Sequence, residues 1–216
     1  MAEFVINKSF NSKVERTPRV LEVAEAFGLG LEEKEFVVYS DFKVDIKQGD
    51  VVYITGQSGS GKSLILRELS LQMRDKPHNL SVCDIDNVKM KDEPIIEQLG
   101  KDLNDAVRLL SLAGLNDAYL FVRKPSELSD GQRYRFKLAK VIESGASVWV
   151  ADEFTGILDR VTARVVSHNL QRVARKVGAT VIVATTHMDL NLDLKPTVRV
   201  EKYYKDRVKV EISDET

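Results

Sequence analysis

The chain has 216 residues with a formal net charge of −1, and 43% of the residues are hydrophobic and 30% charged. This composition is typical of a soluble globular protein, and it excludes a chain that is strongly basic throughout, as many nucleic-acid-binding proteins are. No apolar run approaches the ~18 residues that a membrane-spanning helix needs, and the single cysteine, Cys83, excludes an internal disulfide. We therefore expect a cytoplasmic protein that does not insert into a membrane itself.

The first third of the chain is predicted to be rich in β-strands. Residues 7–17 are polar, and we expect them to be loose. β-branched and aromatic residues predict strands at 19–24, 35–46, 50–55 and 80–85. Leucines at helical spacing predict a helix over 62–73.

The second half of the chain alternates helices and strands. Residues 92–130 read as a small helical insertion. The apolar runs VWVA and TVIVA, separated by a predicted helix over 162–177, indicate a parallel sheet that is covered on both faces. We predict one α/β domain over residues 1–216, with an N-terminal antiparallel β subdomain and a parallel core sheet flanked by helices. Two further strands, turning around Lys205-Asp206, are predicted near the end of the chain.

A glycine-rich loop lies between the strand at 50–55 and the helix at 62–73. Its residues match the P-loop pattern G-x-x-x-x-G-K-[ST], and they are Gly56, Gln57, Ser58, Gly59, Ser60, Gly61, Lys62 and Ser63. Glycines let the backbone N–H groups point at phosphate oxygens, and the helix N-terminus adds its positive dipole end. We expect Lys62 to reach the β- and γ-phosphates and the Ser63 hydroxyl to bind Mg²⁺. The motif predicts an NTPase without saying which one.

Two carboxylates end the apolar strand at 148–151. Beside a P-loop, Asp152 is expected to hold Mg²⁺ through a bound water. Glu153 follows directly and could orient and deprotonate the attacking water as a general base. Many buried strands end in surface carboxylates, so it is the P-loop that makes this pair informative.

A third motif makes the prediction specific to a family. Leu128-Ser129-Asp130-Gly131-Gln132 stands between the P-loop and the acidic strand end, at the start of a predicted helix. Such a helix start offers a hydroxyl, a close backbone N–H and a dipole to an anion, although Ser and Asp are also common as plain helix caps. The sequence LSDGQ resembles the LSGGQ signature of ABC-type ATPases. In that family two subunits pack head to tail, and each signature covers the ATP held by the P-loop of the other.

The resemblance implies further site residues. Asp159 matches the family's D-loop aspartate, and His187, after a strand, matches the switch histidine that contacts the γ-phosphate. The segment Arg19–Gly28 resembles the family's first strand, which makes Phe27 the aromatic residue that stacks on adenine; Phe36 and Tyr39 are its rivals.

The chain departs from the family pattern at several positions. Asp130 replaces a usual glycine and brings a carboxylate close to polyphosphate, which the nearby Arg133 and Arg135 could offset. Leu64, at a nucleotide-binding position, replaces a usual threonine. No glutamine stands at the Q-loop, where the candidates for an oxygen near Mg²⁺ are Asp84, Asp86 and Asn87. Of these we expect Asp86 to be the metal ligand.

The predicted function is Mg²⁺-dependent ATP hydrolysis by a homodimer that closes on ATP, with Glu153, His187 and Lys62 as the catalytic residues. The altered Q-loop favours an ATPase that drives a soluble cytosolic machine or a companion enzyme. The identity of this protein partner is unknown. The alternative is the ATP-binding subunit of a membrane transporter, a more populous class. A role in DNA-structure maintenance is disfavoured because residues 92–124 have no sustained heptads, and the sequence does not indicate nucleic acid as a partner.

Overall fold

The computed structural model describes residues 2–204 and 207–213 of the chain. Its strands are β1 (Ala2–Ser12), β2 (Lys34–Ile46), β3 (Val51–Gly56), β4 (Val82–Asp84), β5 (Val148–Ala151), β6 (Thr180–Thr185), β7 (Val198–Lys202) and β8 (Val208–Ile212). Its α-helices are α1 (Pro18–Phe27), α2 (Lys62–Arg74), α3 (Leu103–Leu112), α4 (Ala118–Phe121), α5 (Asp130–Ser144), α6 (Arg160–Val177) and α7 (Asn191–Leu194). Two short 3₁₀ helices, Ile95–Gln98 and Pro125–Glu127, lie in the helical insertion.

The described strands form two sheets. β1 and β2 pair antiparallel as a two-stranded sheet, and the other six are ordered β4-β5-β6-β3-β7-β8. In the larger sheet the first five strands are parallel, and β8 runs antiparallel to β7. This confirms the predicted α/β fold class with its N-terminal β subdomain. The turn predicted at Lys205-Asp206 lies outside the described residues.

The core lies on both faces of the six-stranded sheet. On β5, Val148 and Val150 pack with α2 and the N-terminal sheet, whereas Trp149 and Ala151 pack with the helical insertion, α5 and α6. Successive side chains of a strand point to opposite faces, so a sheet that is covered twice needs apolar residues at every position. This explains the unbroken apolar runs in the sequence.

The N-terminal segment differs from the prediction in two ways. Residues 7–12, which were expected to be loose, belong to the strand β1, which also buries Phe4 and Ile6 against the core. Residues 19–24 are helical, because Thr17 caps α1, Pro18 occupies its first turn, and Gly28 ends it in the left-handed conformation. The start and stop signals therefore outweigh the β-branched residues between them.

The helical insertion packs as a subdomain on one face of the core sheet. Its helix α3 packs against α5. The turn that follows α3 is held by Asn169 of α6, whose Nδ2 donates to the carbonyl of Ala113 at 2.6 Å. Within the described residues, no helix is both long and apolar enough to cross a bilayer.

The stability of the helical insertion depends on the side chains that α3 buries. We expect Leu110→Ala to lower the free energy of unfolding by about 2–5 kcal/mol, because it empties a fully buried site. Leu103→Ala on the same helix is the control, since Leu103 is 68% exposed and its removal should change stability by less than about 0.5 kcal/mol. Urea unfolding followed by circular dichroism measures both, and equal losses would contradict the packing described for α3.

Candidate functional site

The P-loop is held in place by two strands, β7 and β2, that contact its two ends. Gly56 has φ 146°, and a Cβ there would lie 2.2 Å from the carbonyl oxygen of Lys202 on β7. Gly61 has φ 105°, and its carbonyl accepts a 2.8 Å hydrogen bond from the hydroxyl of Tyr39 on β2. These close approaches exclude side chains at both ends of the loop, which fixes the path of the backbone in between.

The loop has the features of an anion site. The buried Lys62 side chain folds back over it, and Nζ donates to the carbonyl of Gln57 at 2.8 Å. Burial lowers the pKa of Lys62, although the nearby Asp152 and Glu153 raise it. The hydroxyls of Thr55 and Ser60 are buried and have no hydrogen-bond partner among the described residues. A bound phosphate would offer the Lys62 ammonium, which lines the cavity, an anionic partner.

The P-loop and the acidic strand end share one cavity of about 510 Å³. It is lined by Ser58, Gly59, Gly61, Lys62, Ser63, Asp152, Glu153, Gly156, Ile157, Thr185 and Thr186. The structure therefore brings together seven of the predicted site residues, which are Ser58, Gly59, Gly61, Lys62, Ser63, Asp152 and Glu153. The Ser63 hydroxyl and the Asp152 carboxylate offer hard oxygen donors of the kind that Mg²⁺ prefers, so these residues fit the metal.

The backbone after β5 turns sharply so that Glu153 faces the cavity. Glu153 and Thr155 both have positive φ, 46° and 60°, although neither is glycine. The turn is anchored by Phe154, which is buried and whose N–H donates to the carbonyl of Ala184 on β6 at 2.8 Å. The exposed Glu153 carboxylate stands on this anchored and strained turn, a combination that recurs at functional sites.

Asp86 lies in the segment where the family's Q-loop glutamine was expected, together with Asp84 and Asn87. Its carboxylate accepts a 2.9 Å hydrogen bond from the backbone N–H of Asp152. Asp84 accepts in turn from the Asp86 N–H and from the Asn87 side chain. Although Asp86 is exposed as a residue, partial burial of its carboxyl group raises its pKa, and the bond from Asp152 opposes that rise. The loop that replaces the glutamine is thus bonded to the end of β5.

The signature motif forms the start of α5. Ser129 is the N-cap, its Oγ accepting from the Gln132 N–H, while the Gln132 side chain accepts from the Ser129 N–H. Arg133 donates to the carbonyls of Pro125 and Leu128 and pairs with Asp130 at 3.0 Å. The expected offset of the Asp130 charge is therefore made by Arg133, whereas Arg135 donates to the carbonyl of Gly114 instead.

Gly131 brings α5 against the start of α6. A Cβ at Gly131 would lie 2.5 Å from Cγ2 of Thr162. Asp159, the D-loop residue, caps α6 by accepting from the N–H groups of Val161 and Thr162, and the hydrogen bonds from Thr162 lower the pKa of its carboxyl. The signature helix and the D-loop helix therefore meet at their N-termini, a contact for which the sequence offered no signal.

His187 lies at the end of β6 just past the cavity wall. Its N–H donates to Thr185 Oγ1 at 3.1 Å, and its carbonyl accepts from the Tyr53 hydroxyl, which fixes the backbone at this point. Burial raises the pKa of Tyr53 to about 12, so this phenol stays a donor at neutral pH. Thr185 and Thr186 line the cavity, and the role of His187 toward a γ-phosphate stays a prediction.

The structure changes the choice of aromatic residue for adenine. Phe27 ends α1 and is 75% exposed, and the strand on which its assignment rested is absent from its segment. Tyr39 is buried with its hydroxyl bonded below the P-loop. Phe36 is half-exposed on β2, and Phe10 lies directly opposite it on β1 with the same exposure. The first strand of the fold is β1, so Phe10 is a candidate that the sequence reasoning missed.

Known proteins resemble the chain in sequence and in fold. No family model matches it. It is 24% identical over 205 residues to a methionine import ATP-binding protein of Streptococcus agalactiae, covering 78% of this chain and 57% of the relative. It is 30% identical over 191 residues to the corresponding protein of Clostridium tetani, covering 71% of this chain and 58% of the relative. The chain thus spans little more than half the length of these curated relatives. A dimeric bacterial ABC transporter cassette shares its fold, with a TM-score of 0.63, 18% identity, and coverage of 96% of this chain and 98% of that one.

The fold and the site together define the class. A P-loop at the end of a parallel strand, with an acidic strand end in the same cavity, is the arrangement of a P-loop nucleoside triphosphatase. The signature-type start of α5 and the relatives narrow this further. The chain therefore has the fold and the motifs of the ATP-binding cassettes of ABC-type ATPases, to which it is also similar in sequence.

The contact between α5 and α6 can be tested by crowding it. We expect Gly131→Ala to lower the free energy of unfolding by about 1–3 kcal/mol, because the new methyl group overlaps Thr162 Cγ2. Adding Thr162→Ser removes that methyl and keeps the hydroxyl, so the double variant should recover most of the loss. Gly30→Ala is the control, since a Cβ there meets nothing within 4 Å. A Gly131→Ala protein as stable as the control in urea would show that the contact is loose.

Proposed function

We propose that this ATPase binds Mg²⁺-ATP in the P-loop cavity and completes its site by pairing with a second copy of the chain. The observation that carries this proposal is the position of the signature motif. None of the described residues Leu128–Gln132 lines the cavity, yet Ser129 and Asp130 are exposed at a helix N-terminus, which attracts anions. A motif that cannot serve its own cavity can serve that of a partner. The fold neighbour described as a dimeric cassette supports the same arrangement.

The side chains of the cavity divide the work of hydrolysis. Lys62 would neutralise the β- and γ-phosphates once a nucleotide displaces its bond to Gln57. Ser63 and Asp152 would hold Mg²⁺, which spreads the negative charge of the phosphates when it is bound. Glu153 would orient a water and take its proton as the water attacks the γ-phosphorus and the bond to the ADP oxygen breaks. His187 would donate a hydrogen bond to the transferred phosphoryl group.

The dimer can be tested in a variant that binds ATP without cleaving it. We expect Glu153→Gln to reduce kcat by at least about 100-fold, because the general base is lost, and to form a dimer with Mg²⁺-ATP. Light scattering with and without Mg²⁺-ATP measures the mass. The double variant Glu153→Gln/Ser129→Arg should bind ATP and stay monomeric, because the arginine blocks the signature surface. Hydrolysis at the normal rate by Glu153→Gln would remove Glu153 from its proposed role.

The process that the ATPase drives is best supported as transport across a membrane. The curated relatives are named as methionine import ATP-binding proteins, and solved structures that share the fold include cassettes of ABC transporters. These comparisons favour the alternative over the soluble machine that the sequence alone had favoured. We infer that the chain is the ATP-binding subunit of a membrane transporter on its cytoplasmic side, with a membrane protein as its partner.

A second candidate, an ATPase of a soluble assembly, follows from one observation. In transporters of this family, the Q-loop couples the ATPase to the membrane helices, and in this chain the loop lacks its glutamine. Asp84, Asp86 and Asn87 are bonded to one another and to the end of β5. A loop that is fixed in this way is less suited to following the movement of a membrane partner.

Fractionation of source cells separates the two candidates. A transporter subunit should sediment with the membranes. After solubilisation in detergent it should co-purify with an integral membrane protein, which mass spectrometry identifies. An ATPase of a soluble assembly should stay in the supernatant, in a complex that contains no integral membrane protein. The Ser129→Arg variant is the control for both, because blocking the signature surface should leave binding to a partner outside the dimer interface unchanged.

A further inference from the structure

The end of β5 is held in place by a residue of the neighbouring segment. β4 and β5 pair parallel, and the pairing continues past β4 with a 2.9 Å bond from the N–H of Ile85 to the carbonyl of Val150. The next bond is made by a side chain, the 2.9 Å bond from the N–H of Asp152 to Oδ2 of Asp86. The Asp86 side chain thus supplies the hydrogen bond that a strand backbone would otherwise make to Asp152, the residue whose carboxylate is proposed to hold Mg²⁺.

Asp86 is itself fixed from two directions. Its N–H donates to Oδ1 of Asp84 at 2.9 Å, which closes a tight turn. Its carbonyl accepts from Nζ of Lys137 on α5 at 3.0 Å, and the ammonium offsets part of the negative charge of the three neighbouring aspartates. A side chain that is held at its own backbone can hold another residue with little loss of entropy.

Lys137 belongs to one face of the signature helix. Gly131, Tyr134 and Lys137 follow one another at intervals of three, so they lie on the same side of α5. Gly131 meets Thr162 at the start of α6, and the Tyr134 ring packs edge-on against Phe154, with ring centroids 5.7 Å apart. The same helix face therefore contacts the segments that carry Asp159, Glu153 and Asp152.

From these contacts we propose that Asp86 is a positioning residue that holds the main chain of Asp152, and that Lys137 holds Asp86 from the signature helix. This rests on the proposed role of Asp152 at Mg²⁺. It also replaces the earlier expectation that Asp86 binds the metal. The two roles differ in what they need from the side chain: a metal ligand needs the negative charge, whereas an acceptor for an N–H needs only an oxygen.

The discriminating variants are Asp86→Asn, which keeps an acceptor oxygen without the charge, and Asp86→Ala, which removes both. We expect Asp86→Asn to keep kcat within about threefold of the wild-type value. We expect Asp86→Ala to lose about tenfold or more in kcat and to need more Mg²⁺ for its half-maximal rate, as supporting residues next to metal ligands commonly do. Amide hydrogen exchange of nucleotide-free protein adds a direct readout, since the Asp152 N–H should lose protection in Asp86→Ala and keep it in Asp86→Asn.

A matched pair of lysines tests the link to the signature helix. Lys137 and Lys140 both lie on α5, and each Nζ donates to a backbone carbonyl, that of Asp86 and that of Gln98. Lys137→Met should lower kcat by about threefold to tenfold and speed exchange of the Asp152 N–H, whereas Lys140→Met should change neither. Equal effects of the two substitutions would remove Lys137 from the proposal.

Two results would overturn the role of Asp86. One is equal damage in Asp86→Asn and Asp86→Ala, with the half-maximal Mg²⁺ concentration raised equally in both, since a metal ligand needs the charge that both substitutions remove. The other is an Asp86→Ala protein with wild-type kcat and a protected Asp152 N–H. If the wild-type protein itself failed to hydrolyse ATP, the proposed catalytic roles would fail, but the exchange experiment would still decide whether Asp86 holds Asp152.

Discussion

The site depends on one constraint: the backbone of the P-loop has to keep its N–H groups turned toward an anion. A chain in that conformation cannot satisfy its own donors, so it must be held by its neighbours. Here β7 approaches Gly56 from one side and Tyr39 of β2 bonds Gly61 from the other. The N-terminal sheet and β7 are far apart in sequence, and both are needed to shape the eight residues of the P-loop.

Most of the core could be predicted from local patterns because each element carries its own signal. The apolar runs of β5 and β6 indicate strands that are buried on both faces, and the P-loop pattern marks the junction of β3 and α2. The N-terminal errors arose where signals compete. Between Thr17 and Gly28, β-branched residues favour a strand, whereas the cap, the proline and the closing glycine favour a helix, and the helix forms.

The parts of the site that escaped prediction are those made by contacts between distant segments. LSDGQ could be recognised, and Arg133 could be named as a partner for Asp130, but nothing in the sequence shows that Gly131 meets Thr162. The acidic residues after β4 were visible as candidates, yet which of them faces Asp152 depends on strand register, and register is a property of the sheet. Phe10 was missed for the same reason, because its pairing with Phe36 follows from the register of β1 on β2.

The strand order has a consequence for how the chain folds while it is being synthesised. β3 lies between β6 and β7, so both of its hydrogen-bonding partners come from residues 180–202, which a ribosome makes long after β3. Until then the two edges of this strand, which is fully buried in the folded protein, are open in the nascent chain, and open edges invite pairing with other chains. β1 and β2 can pair early, because both precede β3 in the chain, but the side chains that they bury against the core wait for the larger sheet. Chains cut short before β6 should therefore expose both edges of β3 and aggregate.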